Sequence, residues 1–475
     1  MRLAAVLVLV ACGHPAHVRP APSAGVPWAA SGVDWSTAPA IRTDPRLLAP
    51  PIEAFELANG MHVLLVENHR LPIVELSTIH AQAGSREDGG RPGLAAFTVD
   101  LLDEGAGKYT AGELANALDR EGARLELRIA TDYASAQLVT LSEHLPASLD
   151  LLADVLERPR FSEADVARIR TARVADLAQH LDRPRTIAAQ SLDRLLFGAH
   201  AYGRPAEGIA TEVGKLTAAD ALAFWKASYT PNTTTLIATG DVTRQTLEKL
   251  LAHSFGDWPI AKGGPADRRP GPENPPTLGF VDRPGAPNAV VLIGRRAETG
   301  TDLSADVANL VLGGTATARL DRKLRGELGI TLGAGSSFWR GQLGGTWAVA
   351  MTMPARSTAE GIRATLALIE MMRSTDVPAD ELAQAKLAMR RAIAQAFETT
   401  AGTVRALEHI VVQHLPIDHY ATYEARLDAV TPASARAAIT PLWTDLTIVV
   451  VGDWSVIGDG LRSLGLPPIA IAPTR

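Results

Sequence analysis

The chain has 475 residues, 46% hydrophobic and 21% charged, with a formal net charge of −6. That length exceeds one ordinary domain and allows large cores without disulfide or metal staples. The acidic balance and 5% aromatic content speak against a phosphate-neutralising, base-stacking surface, so no nucleic-acid partner is expected. The single cysteine, Cys12, excludes an intramolecular disulfide and a cysteine-based metal site.

In chain order, residues 1–11 read as an export signal. Arg2 supplies the positive start, and Leu3 to Val10 form an apolar run too short to span a bilayer. The run closes Leu9-Val10-Ala11-Cys12, which resembles the bacterial lipobox, where cleavage precedes a cysteine that is then lipidated. Lipidation at Cys12 implies a chain anchored in the bacterial cell envelope and facing the periplasm. Gly13 brings no acidic retention signal, which favours the outer membrane. Residues 12–51 are rich in Pro and Ala without a sustained period and read as a tether.

The first folded half, 52–258, opens with alternating stretches that predict strands over Met61–Val66 and Val74–His80. Helical periodicity follows over Leu94–Glu104, Ala111–Glu121, Pro146–Glu157, Glu163–Leu181, Thr186–Phe197 and Ala218–Ser228. Strands are predicted over Ala123–Leu138 and Thr234–Ala238. Residues 259–276 are Pro/Gly-rich and charged, a linker by composition. In the second half, 277–475, the order of elements returns. Strands are expected over Ala289–Ile293 and Gly345–Met353, and helices over Asp302–Leu312, Ala318–Leu328, Glu360–Met372 and Ala379–Phe397.

The return is an internal repeat. "TLIATGDVT" is echoed by "TIVVVGDWS", with Asp241 and Asp453 standing 212 positions apart. "FSEADVARIRTARVADLAQ" is echoed by "VPADELAQAKLAMRRAIAQ", with Phe161 and Val377 standing 216 apart. Two pairs at nearly one spacing predict two similar α+β halves.

Five segments carry a family resemblance: "AGSREDGGRPGLA", "LLADVLERPRFSEADVARIR", "HAYGRPAEG", "YTPNTTTLIATGDV" and "ARLDRKLRGELGI". In order and spacing the chain resembles the insulinase/pitrilysin-type zinc metallopeptidases, in their short two-half form akin to the mitochondrial processing peptidases. The resemblance implies a clam-type fold of paired halves around a chamber where peptides are cut. It also implies a zinc helix carrying H-x-x-E-H. Histidines at i and i+4 share one helical face, and the glutamate serves as base for the metal-bound water.

The matching positions here are Ala96-Phe97-Thr98-Val99-Asp100. Ala96 stands for the first histidine, Val99 for the base and Asp100 for the second histidine, while the distal glutamate falls on or near Asp176. Neither Ala96 nor Val99 can ligate or accept a proton. Two carboxylates alone make an oxygen-rich site with little preference for zinc. Asp100, Asp103 and Glu104, at i, i+3 and i+4 of the expected helix, form either a solvated acidic helix end paired with Lys108 or Arg120, or a metal or cationic-substrate site. His409 and His414 are poorly spaced for one helix face, and His414 and His419 flank Pro416.

From the second half, the resemblance implies an arginine and, seven residues on, a tyrosine that reach the substrate. Arg325 matches, and the tyrosine position holds Leu332. Arg325 either contacts substrate or pairs with Asp321 or Glu327 on its own helix. The Gly313-Gly314 segment reads as close backbone packing or a flexible loop. The resulting expectation is a non-catalytic subunit with no cofactor of its own. It would form a heterodimer with an active family member that holds the zinc, and together they would enclose peptide substrates. The alternatives are an envelope peptide-binding or assembly protein without a peptidase partner, and an active metallopeptidase with a displaced carboxylate site.

Overall fold

A computed structural model of the chain describes residues 49–180, 182–260, 270–300 and 302–473. The export signal, Cys12, most of the tether and the middle of the linker lie outside them. The first half runs β1 (Glu53–Glu56), β2 (His62–Glu67), β3 (Ile73–His80), α1 (Leu94–Val99), β4 (Gly105–Ala106), β5 (Tyr109–Thr110) and α2 (Ala111–Arg120). It continues through β6 (Arg124–Ile129), β7 (Ala134–Leu141), α3 (Leu145–Glu157), α4 (Glu163–His180) and α5 (Pro184–Phe197). It closes with α6 (Ala210–Val213), α7 (Ala218–Ser228), β8 (Thr234–Gly240) and α8 (Arg244–Phe255).

The second half runs β9 (Leu278–Asp282), β10 (Asn288–Ala297), α9 (Leu303–Asn309), α10 (Arg319–Asp321), β11 (Ala334–Gly341) and β12 (Gly344–Pro354). Then come α11 (Thr358–Ser374), α12 (Ala379–Ala396), α13 (Thr400–Val412), α14 (Tyr423–Asp428), α15 (Pro432–Ile439), β13 (Thr447–Gly452), α16 (Trp454–Arg462) and β14 (Pro468–Ala470).

The two halves share one α+β topology over five strands of each sheet, and the sixth differs, β1 pairing antiparallel to β2 where β14 pairs parallel to β9. One sheet is ordered β1-β2-β8-β3-β7-β6 and the other β14-β9-β13-β10-β12-β11. Parallel β2–β8 corresponds to parallel β9–β13, and the remaining shared neighbours are antiparallel in both. The starts of α4 and α12, and of α5 and α13, repeat the sequence offset of 216.

Each half lends a helix to the sheet of the other. Along β13, Ile448 and Val450 face the second half's own core, while Val449 and Val451 pack on Ile187, Leu192 and Leu196 of α5. Along β8, Leu236 and Ala238 face the first half's core, while Ile237 packs with Val404, Leu407 and Ile410 of α13. The period-2 side-chain alternation thus serves two cores at once, which is why these strands read as unbroken apolar runs. Polar groups fix the register of the exchange. Ser77 Oγ and Gln137 Nε2 donate to Glu408 Oε1 at 2.6 and 2.9 Å, and Thr400 Oγ1 donates to Glu75 Oε2 at 3.0 Å.

Four predicted elements are corrected. The helix expected over Leu94–Glu104 stops at Val99, and the chain passes through tight turns toward β4, where Gly105 takes a φ of +124°. Three acidic residues at a helix C-terminus oppose the backbone dipole and gain nothing from helix continuation. The single strand expected over Ala123–Leu138 is a hairpin, because Ala130–Tyr133 closes a turn that lacks the usual Gly or Pro signal. In the second half, the helices expected over Asp302–Leu312 and Ala318–Leu328 widen into π-type turns at Leu310–Gly314 and Arg322–Glu327.

Candidate functional site

The segment before α1 is held by its own carboxylate. Asp88 is buried and accepts from the backbone N–H of Gly93 and Ala95, each at 2.7 Å. Burial pushes its carboxyl up to about 6 against those hydrogen bonds. Gly93, at φ +99°, packs backbone to backbone on Gly208, at φ +96°, where a Cβ would meet the Gly93 Cα at 2.4 Å. Only glycine fits either position. This contact brings the two motif segments together and seats the loop before α6 against the start of α1.

Every residue of α1 is buried. Ala96 is 0% exposed and Val99 3%, so the helix face that would carry a histidine and a base is closed apolar packing. Asp100 sits at the C-cap and pairs with Arg173 Nη1 of α4. The same guanidinium donates to the Glu207 carbonyl from Nη2 at 2.9 Å and from Nε at 3.3 Å. Burial holds the Asp100 carboxyl above the usual Asp range despite Arg173, and the nearby Asp176 and Glu104 charges add to the rise. Asp176 is 61% exposed and lies 3.6 Å from His180, its i+4 neighbour.

The acidic trio lies beyond the end of α1 rather than on it. Glu104 pairs with Arg168, Asp100 with Arg173, and Asp103 is exposed. The partners come from α4 rather than from Lys108 or Arg120 as expected. Among the described residues, no group of three or more His, Cys, Asp or Glu side chains could hold a metal ion. The donors at the zinc position therefore do not fit the metal that the fold implies: of the three ligand positions Ala96 has no donor, Asp100 is occupied by a guanidinium and Asp176 faces solvent, and Val99 supplies no base.

In the second half, Arg325 pairs with Asp321, its i−4 neighbour, and donates to the Ala316 carbonyl at 3.3 Å. Leu332 is 98% exposed at the rim of a cavity of about 840 Å³ bounded by Gly313, Gly314, Ala334 and Thr352. Gly313 fulfils the close-packing expectation, since a Cβ there would meet Ser336 N at 2.6 Å.

Sequence reasoning missed a polar junction between the halves. Asp132, 4% exposed, accepts from Arg86 Nη1 at 2.9 Å, from Tyr202 Oη at 2.7 Å and from the Gln342 backbone N–H at 2.9 Å. The Tyr202 oxygen accepts in turn from Leu343 N–H at 2.9 Å. Arg86 and Tyr202 lie within "AGSREDGGRPGLA" and "HAYGRPAEG", so the family-like strings held the signal, while the β11–β12 turn they reach did not announce itself. The histidines also pair differently from either sequence option: His409 and His419 approach, with ring centroids 6.0 Å apart. His414 instead takes a left-handed φ of +50° beyond the end of α13.

Comparison with known proteins matches residues 63–208 to Insulinase (Peptidase family M16) and residues 215–389 to the Peptidase M16 inactive domain. The chain belongs to the insulinase family of peptidases. A Mycobacterium bovis protein named as an uncharacterized zinc protease is 27% identical over 368 residues, covering 75% of this chain and 84% of that one. The mitochondrial-processing peptidase subunit beta of Lentinula edodes is 23% identical over 234 residues, 49% of this chain and 50% of that one. Among solved structures, a peptidase M16 inactive domain from Pseudomonas fluorescens superposes with a TM-score of 0.78 at 24% identity, over 85% of this chain and 98% of that one. That likeness establishes the two-half fold.

Proposed function

We propose that this chain is a non-catalytic, insulinase-type subunit that completes a peptide-binding chamber with a zinc-bearing family member in the bacterial cell envelope. One observation carries the reading. An otherwise complete family scaffold has Ala96 and Val99 closed into the core and Asp100 committed to Arg173, where hydrolysis needs ligands and a base. A zinc and its chemistry belong, in this reading, to the partner. The subunit naming of the Lentinula edodes relative is consistent with a family that works in assembled form.

This chain's own contribution is binding. β6 is an outer strand of its sheet, and its outer edge offers backbone N–H and C=O groups to an extended peptide. Arg325 would turn from Asp321 to a substrate carbonyl or carboxylate. Lipidation at Cys12 would hold the assembly to the membrane, facing the periplasm, with the outer membrane favoured. Among the described residues no helix is long and apolar enough to cross a membrane.

The test is co-expression with a family member that keeps H-x-x-E-H, followed by pull-down and peptide cleavage by each chain alone and by the mixture. Cleavage is expected only where the intact member is present, and to rise at least ~10-fold on pairing, a gain of about 1.4 kcal/mol in barrier. No complex and no gain on mixing would defeat the proposal. Membrane extraction of Cys12→Ser against the native chain checks the anchor separately.

A further inference from the structure

We propose that Arg173 is a built-in surrogate for the family's metal, a fixed cation that holds α1 to α4 and keeps zinc out. The geometry supports a bridging role. The guanidinium engages the Asp100 carboxylate at the end of α1 with Nη1, and the Glu207 carbonyl before α6 with Nη2 and Nε. One side chain on α4 thus ties together three segments of chain. Zinc in this fold would join α1 to α4 through ligands at Ala96, Asp100 and Asp176, so the guanidinium closes the same gap between the same two helices.

The charge balance agrees. Burial raises the carboxyls of both Asp100 and Asp88, and the Arg173 charge works against that rise at both, while Asp176 and Glu104 add to it at Asp100. A guanidinium remains protonated and stays attached at any metal concentration, whereas zinc binds by mass action. The planar fork also explains the choice of Arg: a lysine ammonium would not reach the carboxylate and the carbonyl with paired donors.

The consequence is that restoring ligands alone does not restore a metal site, because the incoming zinc meets a positive charge that the Glu207 carbonyl still holds beside it. The test compares the single chain carrying Ala96→His, Val99→Glu, Asp100→His and Asp176→Glu with the same chain also carrying Arg173→Ala. Zinc per chain after dialysis and the shift of Tm on adding zinc are measured. With Arg173 retained, zinc content is expected to stay near that of the native chain. With Arg173 removed it is expected to approach about one per chain, with a zinc-dependent rise in Tm. Stoichiometric zinc with Arg173 present, or none after its removal, overturns the proposal.

Should the multiple variants fail to fold, Arg173→Met in the native chain tests the cross-link alone. Faster hydrogen exchange is expected in residues 205–210 and at the end of α1, with a Tm lower by on the order of 3–5 °C. Unchanged exchange and Tm would overturn the bridging role. These readouts use one chain and no protease assay, so they stand or fall apart from the proposed pairing with a partner.

Discussion

Asp100 and Asp132 each face an arginine, yet their surroundings differ. Asp132 is almost wholly buried and receives hydrogen bonds from a guanidinium, a phenol and a backbone amide drawn from both halves. Asp100 is partly exposed, meets one guanidinium and lies among other carboxylates that disfavour its charge. A buried charge with a complete set of donors rigidifies its surroundings more than a partly served one does. The difference places the more fully served of the two aspartates at the junction between the halves, away from the metal position. The chain preserves how its halves meet more firmly than the place where the chemistry would have been.

Removing Asp132 should expose this contrast most strongly. Asp132→Ala leaves a buried guanidinium, the Tyr202 hydroxyl and the Gln342 amide short of an acceptor, at a cost of about 3–5 kcal/mol. A Tm lower by on the order of 5–10 °C is expected, with the hydrogen exchange of the β11–β12 turn accelerated in parallel. A Tm shift no larger than that of Arg173→Met would erase the distinction drawn here.

Next in size is a pH effect on the same side of the molecule. His419 is buried near Arg426, which donates to its Nδ1 at 3.2 Å, and burial followed by that charge pushes its pKa down to about 4. A folded pKa below the unfolded value means that its contribution to stability is complete above about 6.5 and is lost as pH falls toward 4. His80, fully buried between Thr78 and Thr234, has its pKa pushed down to about 3 by burial and acts in the same direction. Urea unfolding between pH 7 and 4.5 should show His419→Gln losing about 2 kcal/mol less than the native chain. Equal losses would mean that the imidazole titrates freely.

Tyr202→Phe removes one donor to Asp132 and the acceptor of Leu343 N–H while leaving the ring against Trp339, 4.9 Å away. A loss of about 1–2 kcal/mol is expected in urea unfolding at pH 7, smaller than for Asp132→Ala because the charge pair with Arg86 survives.

Much of this organisation was legible in the sequence. The offset of 216 between Phe161 and Val377 reappears in the starts of α4 and α12 and of α5 and α13, so the duplication could be read directly. Ala96 and Val99 lead to the expectation that a ligand and the base are missing, and both are closed into the core. Pairing was beyond a linear reading. Nothing near Asp100 in the chain points to Arg173, since the pair joins two helices through tertiary packing. The exchange of α5 and α13 between sheets was equally hidden, because Val449 and Ile237 look like ordinary core residues whichever helix covers them. Local rules failed where a helix had to stop without a Gly at once, as at Asp100, and where a hairpin turned on Thr131 and Asp132 rather than on Asn-Gly.

The smallest expected effect concerns Asp176. If the metal position still imposed a demand on all of its members, Asp176→Ala would weaken the α1–α4 contact as Arg173→Met does. Its carboxylate is instead 61% exposed, pairs with His180 on its own helix, and raises the Asp100 pKa by its charge. An exposed i, i+4 pair contributes little, and removing a like charge beside Asp100 works in the opposite direction. Asp176→Ala should therefore leave stability within ~0.5 kcal/mol of the native chain. It should also lower the apparent pKa of Asp100, observable by carboxyl-detected NMR titration. A clear destabilisation would show that this carboxylate carries a structural load that its exposure does not reveal, and would bring the two regions closer in kind.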